Sequence, residues 1–328
     1  ENLIDSSPTA TQCAWIYQTF LGGGGFENDL AEIDLANDWW DVYTPNDLLF
    51  DICEPLSRHQ GCFIHVGYNA NFQKAEFSLI PYSLCRLGKL DSDKYAGKVI
   101  VSPNGWGKYL KKEDVRVYDT YNPNPIIIQK QVETCGGWEN YSGQIIYFKL
   151  SDKYTYTKSL IEVAYTFAQT ENHMGMYYVG TVKRSFEDIS MIRHRKFDDK
   201  QDEQNFYNNI KSISGLENAN SKLIIEDDWD DEREKTGNIR IDTIKNDVKP
   251  EKYAHFENSS ANYIRKSFKN IPPQLVDYVA GKLGNTSGED LIKAQSIYNS
   301  LTSRDRQKIE MLFRELFRNY VIPIESDW

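Results

Sequence analysis

The spacing of apolar residues predicts two helices within the first sixty residues. The first ends at four consecutive glycines, residues 22–25, and its apolar side chains recur at helical spacing, at Ala14, Ile16, Tyr17 and Phe20. The second is predicted to begin at Thr44-Pro45, with Thr44 as N-cap and Pro45 in the first turn. One face of this second helix is aliphatic, with Leu48, Leu49, Ile52 and Leu56.

Between residues 62 and 150 the pattern changes to short runs of β-branched and aromatic residues. Such runs cover residues 63–68, 98–101 and 144–148, and Gly, Pro, Asn and Asp separate them. Because these residue types suit a pleated, half-buried surface, this segment is predicted to form a meandering sheet.

A helical pattern returns over residues 157–176, and a small α/β unit is predicted to follow it. The unit is expected to contain a strand over 176–182, a polar helix over about 198–214, and strands over 222–226 and 238–244. With roughly 65 residues, it lies at the low end of domain sizes.

The remainder of the chain is predicted to be helical almost to its end. One helix is expected to stop at Pro272-Pro273, because proline cannot continue a helix. The next is expected to begin at Ser287, whose side chain would cap it. A second capping pattern, from Thr302 to Asp305, predicts a kink or a restart within this last helix.

Acidic residues are concentrated near the N-terminal end. The whole chain has a formal net charge of −10, and residues 1–60 contain eleven acids and one base, Arg58, so the remainder is balanced. Proteins that grip nucleic acid usually show a basic stripe, so tight static DNA binding is disfavoured. The glycines at 22–25 are not followed by Gly-Lys-Ser/Thr, so they are not a phosphate loop, which argues against an ATP-driven motor of that type.

Cysteine usage indicates free thiols in a reducing compartment, because the cysteines are odd in number and scattered: Cys13, Cys53, Cys62, Cys85 and Cys135. Cys53, His59, Cys62 and His65 could in principle surround zinc. Their spacing matches no common zinc finger, and the first of them fall on a predicted helix and the last on a strand. Free cysteines in a packed core are therefore favoured, and neither a metal nor a cofactor is predicted.

The order of these elements, together with several local strings between residues 45 and 320, resembles the portal proteins of tailed bacteriophages. The strings are 158–169 followed by 176–183, Ser214-Gly215-Leu216-Glu217-Asn218-Ala219 followed by 222–225, Asn262-Tyr263-Ile264-Arg265-Lys266-Ser267-Phe268 followed by 271–275, and Gly284-Asn285-Thr286-Ser287-Gly288. The resemblance implies an α+β portal fold with a mixed wing, a helical stem, a small α/β clip and a long kinked C-terminal helix.

The resemblance also implies domain bounds along the chain. They are a wing region at 1–156, a first stem helix at 157–176, a clip at 177–248, a second stem helix at 249–273, a tunnel loop at 274–287 and a long kinked wing helix at 288–328. Portals commonly continue into a crown after the long helix. Because this chain stops at Trp328, soon after Pro323, the crown is expected to be minimal or to lie outside these residues.

A portal subunit does no chemistry, so the resemblance implies a structural virion protein without enzymatic activity or cofactor. About twelve copies are expected to close into a ring at one capsid vertex, after synthesis in the host cytoplasm. The ring would conduct double-stranded DNA during packaging and ejection. The expected partners are further copies of itself, the major capsid protein, the terminase motor, a neck adaptor and non-specifically passing DNA. No membrane partner is expected, since no apolar run is long enough to cross a bilayer.

The tunnel loop is the expected DNA-proximal segment. A conduit must contain a polyanion without holding it, and each cation that neutralises a phosphate adds affinity. Within residues 277–287 Lys282 is the only cation, which suits weak contacts. The candidate residues are Asp277, Lys282, Asn285, Thr286 and Ser287. An ordinary helix–helix connection is the alternative.

Two charge clusters fall in the expected clip. The basic cluster comprises Lys183, Arg184, Arg193, Arg195 and Lys196. The acidic cluster includes Asp227, Asp228, Asp230 and Asp231. They would dock the motor and later the adaptor, and could also pair neighbouring subunits. Two solvated loops are an equally good alternative.

Two rival functions remain open from the sequence. One is another structural virion protein, such as a head-completion or baseplate part. The other, ranked well below it, is a hydrolase that uses wing carboxylates. Paired acids such as Asp198-Asp199 and Glu289-Asp290 are not flanked by an apolar pocket that would raise a pKa, and no hydrolase motif is present.

Overall fold

The computed structural model describes residues 2–27, 30, 33–37, 42–107, 115–183, 189–194, 196–197, 199–214, 222–226, 239–244, 250–276 and 287–322. The chain divides into two compact units. The first comprises Glu1–Ala168 with Asn262–Trp328, and the second comprises Gln169–Ala261.

The N-terminal part of the first unit is mainly helical. Its elements are α1 (Asn2–Asp5), α2 (Pro8–Gly22), the antiparallel pair β1 (Ala36–Asn37) and β2 (Val42–Tyr43), and α3 (Pro45–His59). The side chain of Ser7 caps α2 by accepting a hydrogen bond from the Ala10 N–H at 3.1 Å. Thr44 and Asp47 form a reciprocal capping box at the start of α3, so the predicted helix start is confirmed. The predicted aliphatic face of α3 is buried, at Leu48, Leu49, Ile52 and Leu56.

A six-stranded sheet follows in the first unit. Its strands are β3 (Gly61–Tyr68), β4 (Lys74–Ile80), β5 (Cys85–Leu87), β6 (Lys98–Val101), β7 (Arg116–Thr120) and β8 (Gln144–Lys149). The spatial order is β4-β3-β8-β7-β6-β5, and every pair is antiparallel except β7 with β8. The three predicted runs fall in β3, β6 and β8, so the expectation of a sheet here is confirmed.

A helix that the periodicity did not predict, α4 (Pro125–Cys135), connects β7 to β8. Parallel neighbours need a crossover connection, and a helix is the usual one. Local signals for α4 are present: Asn124 caps it by accepting from the Ile126 N–H, Pro125 occupies the first turn, and Gly136 ends it at φ 85°.

The second unit is a small α/β assembly between two long helices. Its elements are the distal part of α5 (Tyr165–Lys183), β9 (Ile189–His194), α6 (Lys200–Ser214), β10 (Lys222–Glu226), β11 (Ile239–Ile244) and the proximal part of α7 (Pro250–Ser267). The strand order is β10-β9-β11, parallel on one side of β9 and antiparallel on the other. His194 is fully buried among Phe197, Phe206 and Tyr207. The predicted polar helix and the last two strands are confirmed.

The predicted strand over 176–182 is wrong, because α5 continues as a helix through Lys183. Tyr177, Tyr178 and Val179 favour strands by propensity, but in the helix the ring of Tyr177 stacks on Tyr253 of α7 at 5.0 Å. Tertiary packing overrides the local preference here. The start of the predicted helix is also later than expected, since residues Leu160–Ala164 form a 3₁₀ turn.

Two further helices complete the first unit, α8 (Pro273–Val276) and α9 (Ser287–Phe317). One core joins α2, α3, the inner face of the sheet and α9, with fully buried rings at Tyr17, Phe268, Tyr298 and Phe313. α9 begins at Ser287 as predicted. The predicted restart is wrong: the helix continues through Thr302, whose hydroxyl donates to the Tyr298 carbonyl at 3.0 Å instead of capping a new helix.

The prolines at 272–273 do not end α7, so this expectation is also wrong. The helix ends at Ser267, and Pro273 instead begins α8. The residues that end α7 are Lys269 and Asn270, both in the left-handed backbone region at φ 58° and 54°.

Candidate functional site

Four of the five residues predicted for the tunnel loop, Asp277, Lys282, Asn285 and Thr286, lie outside the described residues. The fifth, Ser287, is the first residue of α9. The elements on either side are placed: Leu275 and Val276 of α8 pack against the core of the first unit, and α9 begins beyond them. The contact role of the loop therefore stays a prediction.

The predicted clip clusters are described only in part. Arg193 lies in β9, with its Nε 3.3 Å from the sulfur of Met191, and Lys196 is exposed just after that strand. Lys183 is the last residue of α5. The others, Arg184, Arg195, Asp227, Asp228, Asp230 and Asp231, lie outside the described residues. Docking through these clusters remains a prediction.

The turn after α7 is the best-defined feature next to the predicted tunnel segment. The N–H of Asn270 donates to the carbonyl of Lys266 at 3.2 Å, and the N–H of Ile271 donates to that of Arg265 at 3.1 Å. These bonds satisfy the last carbonyls of α7. A residue with a Cβ pays an energetic penalty in the left-handed region, and this turn holds two such residues in succession. Other contacts must hold it in place.

Asp305 of α9 holds this turn through Lys269. The ammonium of Lys269 donates to Oδ2 of Asp305, and the hydroxyl of Tyr17 in α2 donates to the same oxygen at 2.6 Å. The ammonium also lies 5.7 Å from the centre of the Tyr17 ring. Burial and the neighbouring carboxylate raise the pKa of Tyr17, so its hydroxyl keeps its proton. One carboxylate thus joins α2, α9 and the end of α7.

Tyr298 makes a second contact with the same turn, two helical turns before Asp305. Its hydroxyl donates to the carbonyl of Phe268 at 3.0 Å, and its ring meets Phe20 edge-on at 4.8 Å. Arg306 then joins α9 to the end of α2, donating to the carbonyls of Phe20 at 3.1 Å and Asn299 at 2.8 Å. These neutral and charged contacts fix the α7–α8 turn against α9.

The far end of α9 is anchored to the sheet by a buried lysine. Lys74 of β4 is 2% exposed, and its ammonium donates to the backbone carbonyl of Glu315 and lies 3.8 Å from the Glu315 carboxylate. The hydroxyl of Tyr121 donates to that carboxylate at 2.6 Å. Burial lowers the pKa of Lys74 to about 8. The backbone of Lys74 also forms hydrogen bonds with the backbone of Asn319 and Val321. The main chain and the side chain of Lys74 therefore both contact the C-terminal end of α9 and the residues after it.

The four residues considered as zinc ligands are not brought together. Cys53 and Cys62 are buried in the core, where burial raises the pKa of Cys53 to about 12 and that of Cys62 further, so both stay thiols. His59 stacks on Tyr82 at 4.5 Å, and Nε2 of His65 lies 2.5 Å from the carbonyl of Ser142. Among the described residues, no group of three or more His, Cys, Asp or Glu is placed to hold a metal ion.

Sequence reasoning missed the buried polar groups of α9. Tyr17 and Asp305 are 288 positions apart, and Lys74 and Glu315 are 241 apart, so no local pattern relates them. The one available signal was a charged residue at a position that helical spacing places on an apolar face, since Asp305 is aligned with Tyr298, Ile309 and Leu312. None of the helices, within the ranges described, has a stretch apolar enough to span a membrane.

Comparisons with known proteins give structural relatives only. No family model matches the chain, and no curated protein matches it. A chain in the neck of an empty GTA particle, computed with C6 symmetry, is 9% identical with a TM-score of 0.55, over 97% of this chain and 79% of that chain. A chain in the virion of a native gene transfer agent particle is 10% identical with a TM-score of 0.50, over 86% and 69%. An HK97 family phage portal protein from Corynebacterium diphtheriae is 10% identical with a TM-score of 0.44, over 90% and 85%.

At sequence identities of 9% and 10%, the structural likeness shows only that the fold is shared. The chain is a mixture of helix and sheet, and it shares its architecture with chains of such particles over most of its length. The predicted α+β fold class is therefore confirmed, and the fold is shared with chains in the neck and the virion of gene transfer agent particles.

Proposed function

We propose that this chain is the portal subunit of a tailed-phage-like particle, a structural protein without enzymatic activity. The supporting observation is the fold shared over nearly the whole chain with a component of a particle neck. A likeness confined to one helical hairpin would carry little weight, but this one includes the sheet, the α/β unit and the long helix together.

In this function, about twelve copies close into a ring at one capsid vertex, and DNA passes through the centre. The segment 277–286, with Lys282, would approach the DNA, and the clip clusters would meet the terminase motor and then the neck adaptor. The major capsid protein would surround the ring.

The anchoring of α9 supports the same function. A conduit that transmits force from a motor needs a firm framework beneath the residues that meet the DNA. The turn before segment 277–286 is fixed by Tyr298 and Asp305, and the C-terminal end of α9 is fixed by Lys74. The middle and the C-terminal end of the long helix are thus bound to the body of the first unit.

The test is a packaging assay in cells that carry the genes of the particle but lack the gene for this chain. Wild-type chain supplied in trans should restore capsids whose DNA is protected from nuclease. Without it, capsids should be empty or absent. DNA-filled capsids in the deletion strain would contradict the function.

The role of the loop needs a milder variant in the same assay. Lys282→Glu should change the rate of packaging or the retention of DNA while the ring still forms, because one weak phosphate contact per subunit is lost. Lys130→Glu, an exposed lysine on α4, is the matched control. Unchanged packaging and retention with Lys282→Glu would remove the contact role, while leaving the portal function intact.

The clip requires a separate binding measurement. Reversing Asp227 and Asp228 to lysine should weaken binding of the motor protein or the adaptor to purified rings. Normal binding would favour two solvated loops instead. A ring with an open channel would also distinguish a portal from other head-completion or baseplate proteins.

A further inference from the structure

An exposed face of α9 has the composition of a surface that packs against another protein. Ile297, Leu301, Arg304, Lys308 and Met311 follow each other at alternating four- and three-residue spacing, which aligns them along one side of the helix. The three apolar members are 57%, 45% and 67% exposed. We call these five residues the α9 seam.

The α9 seam is distinct from the side of α9 that packs inside the first unit. That buried side comprises Ala294, Tyr298, Thr302, Asp305 and Ile309. A single exposed apolar residue is common on a protein surface. Here three exposed apolar residues are aligned over four helical turns next to the buried face, so the apolar stripe of α9 is wider than the part that packs in the core. Such a seam is typical of a helix that a second element covers.

The charges of the α9 seam restrict what could cover it. Arg304 makes no hydrogen bond or ion pair with any residue that the structure describes, and Lys308 donates to the carbonyl of Leu150 at 2.8 Å. Lys308 also lies 4.0 Å from the exposed carboxylate of Asp152. The seam therefore presents apolar side chains around two cations, and its complement is an acidic surface with exposed aromatic or aliphatic groups.

Another surface of the first unit has these properties. Trp15 on α2 is 63% exposed and Phe50 on α3 is 41% exposed. The exposed residues Asp47, Asp51 and Glu54 lie on the same face of α3 as Phe50, at helical spacing. A cleft of about 660 Å³ between the two helices is lined by Trp15, Glu54 and Arg58 among others. Arg58 pairs with Glu54 at 3.5 Å and with Asp5 at 2.7 Å, so the acidic excess of this surface comes from Asp47 and Asp51. We call Trp15, Phe50, Asp47, Asp51 and Glu54 the α2–α3 groove.

We propose that the α9 seam of one copy docks onto the α2–α3 groove of the next copy. The two surfaces differ, so each copy would offer one to each neighbour, and contacts of that kind close into rings when the rotation permits. The pairing covers an apolar stripe with tryptophan and phenylalanine, residue types that are enriched at interfaces. It also places Arg304 against carboxylates. This inference rests on the self-assembly in the proposed function and assigns the surfaces that make it.

A charge exchange in the full chain tests the pairing. Arg304→Glu alone and Glu54→Arg alone should each weaken assembly at least about tenfold, because like charges then face each other. The double variant should recover assembly, since every contact in the ring again joins opposite charges. The measurement is the proportion of rings to monomers by mass photometry over a concentration series, with circular dichroism to confirm that each variant is folded.

A second pair of variants tests the apolar part. Met311→Asp should reduce assembly, whereas Ile292→Asp should not, because Ile292 is equally exposed at 65% on another side of the same helix. If both variants, or neither, reduce assembly, or if the charge exchange fails to rescue, the assignment of surfaces is wrong. In that case wild-type rings would still support the proposed function.

Two other outcomes also have defined meanings. A wild-type chain that stays monomeric at every concentration contradicts both the ring and this interface. Rings that persist in Arg304→Glu while binding of a DNA duplex falls would show that the seam faces nucleic acid, and would overturn the proposal.

Discussion

At the scale of single residues, the structure depends on charged groups placed where water is largely excluded. Asp305 is 6% exposed, and its carboxylate is satisfied by Lys269 and Tyr17. A buried charge is costly unless it is paired and hydrogen-bonded, so such a group stabilises the fold only while its partners remain. Removing one partner should therefore lower the free energy of unfolding by more than the intact pair adds to it.

Asp305→Asn keeps the size of the side chain but leaves the Lys269 ammonium without its counter-charge. We expect the free energy of unfolding to fall by about 2 kcal/mol, measured by urea denaturation. Asp152→Asn is the control, because that carboxylate is 78% exposed and pairs loosely with Lys149 and Lys308. It should cost less than about 0.5 kcal/mol. Equal effects of the two variants would contradict the role assigned to Asp305.

Lys74 makes stability depend on pH in an unusual direction. Burial lowers its pKa from 10.5 to about 8. Below pH 8 the side chain is charged in the folded and the unfolded chain, and the cost of burying the charge opposes folding in full. Between pH 8 and 10.5 the unfolded chain binds the proton that the folded chain has released, so this group makes stability rise with pH.

The measurement compares wild type with Lys74→Met, in which this titration is absent. Between pH 7.5 and 9.5, the free energy of unfolding of the wild type should increase relative to that of Lys74→Met. Lys74→Arg, which stays charged over this window, should lack that shift. A difference between wild type and Lys74→Met that is constant or falls with pH would refute the explanation.

At the scale of elements, the chain is predictable where the signals that start and stop an element are local. α3 begins at its Thr44-Pro45 signal, and the strands of the main sheet follow their β-branched runs. α4 was missed although Asn124-Pro125 and Gly136 mark its ends. The extent of α5 could not be predicted, because Tyr177 and Val179 favour strands, and packing against Tyr253 supplies the helical preference from a distant segment.

The end of α7 gives a prediction at this scale, since it depends on backbone conformation rather than on proline. At Asn270, with φ 54°, the glycine variant should be more stable than the alanine variant by about 1 kcal/mol, because the Cβ of alanine is disfavoured in the left-handed region. At Gln295, an exposed position within α9, the order should reverse by about the same amount. Thermal and urea unfolding of the four variants measures both differences. Equal stabilities of Asn270→Ala and Asn270→Gly would contradict this prediction, because they would show that the turn accommodates a Cβ without an energetic penalty.

At the scale of the whole molecule, the order of elements was the strongest signal in the sequence. Helix, strand and helix again at these spacings indicated the fold class, which the shared architecture confirms. The contacts that hold α9 to α2, to the α7–α8 turn and to the sheet could not be predicted, because they join residues far apart in the chain. The candidate DNA-facing and clip residues rest on the resemblance, since most of them lie outside the described residues.

The most direct test of the proposed portal function is cryo-electron microscopy of the purified full chain, reconstructed without imposed symmetry. We expect a closed ring around a channel wide enough for a DNA duplex, with segment 277–286 of every copy facing the channel. A compact particle without a channel, or a ring with that segment on its outer surface, would contradict it.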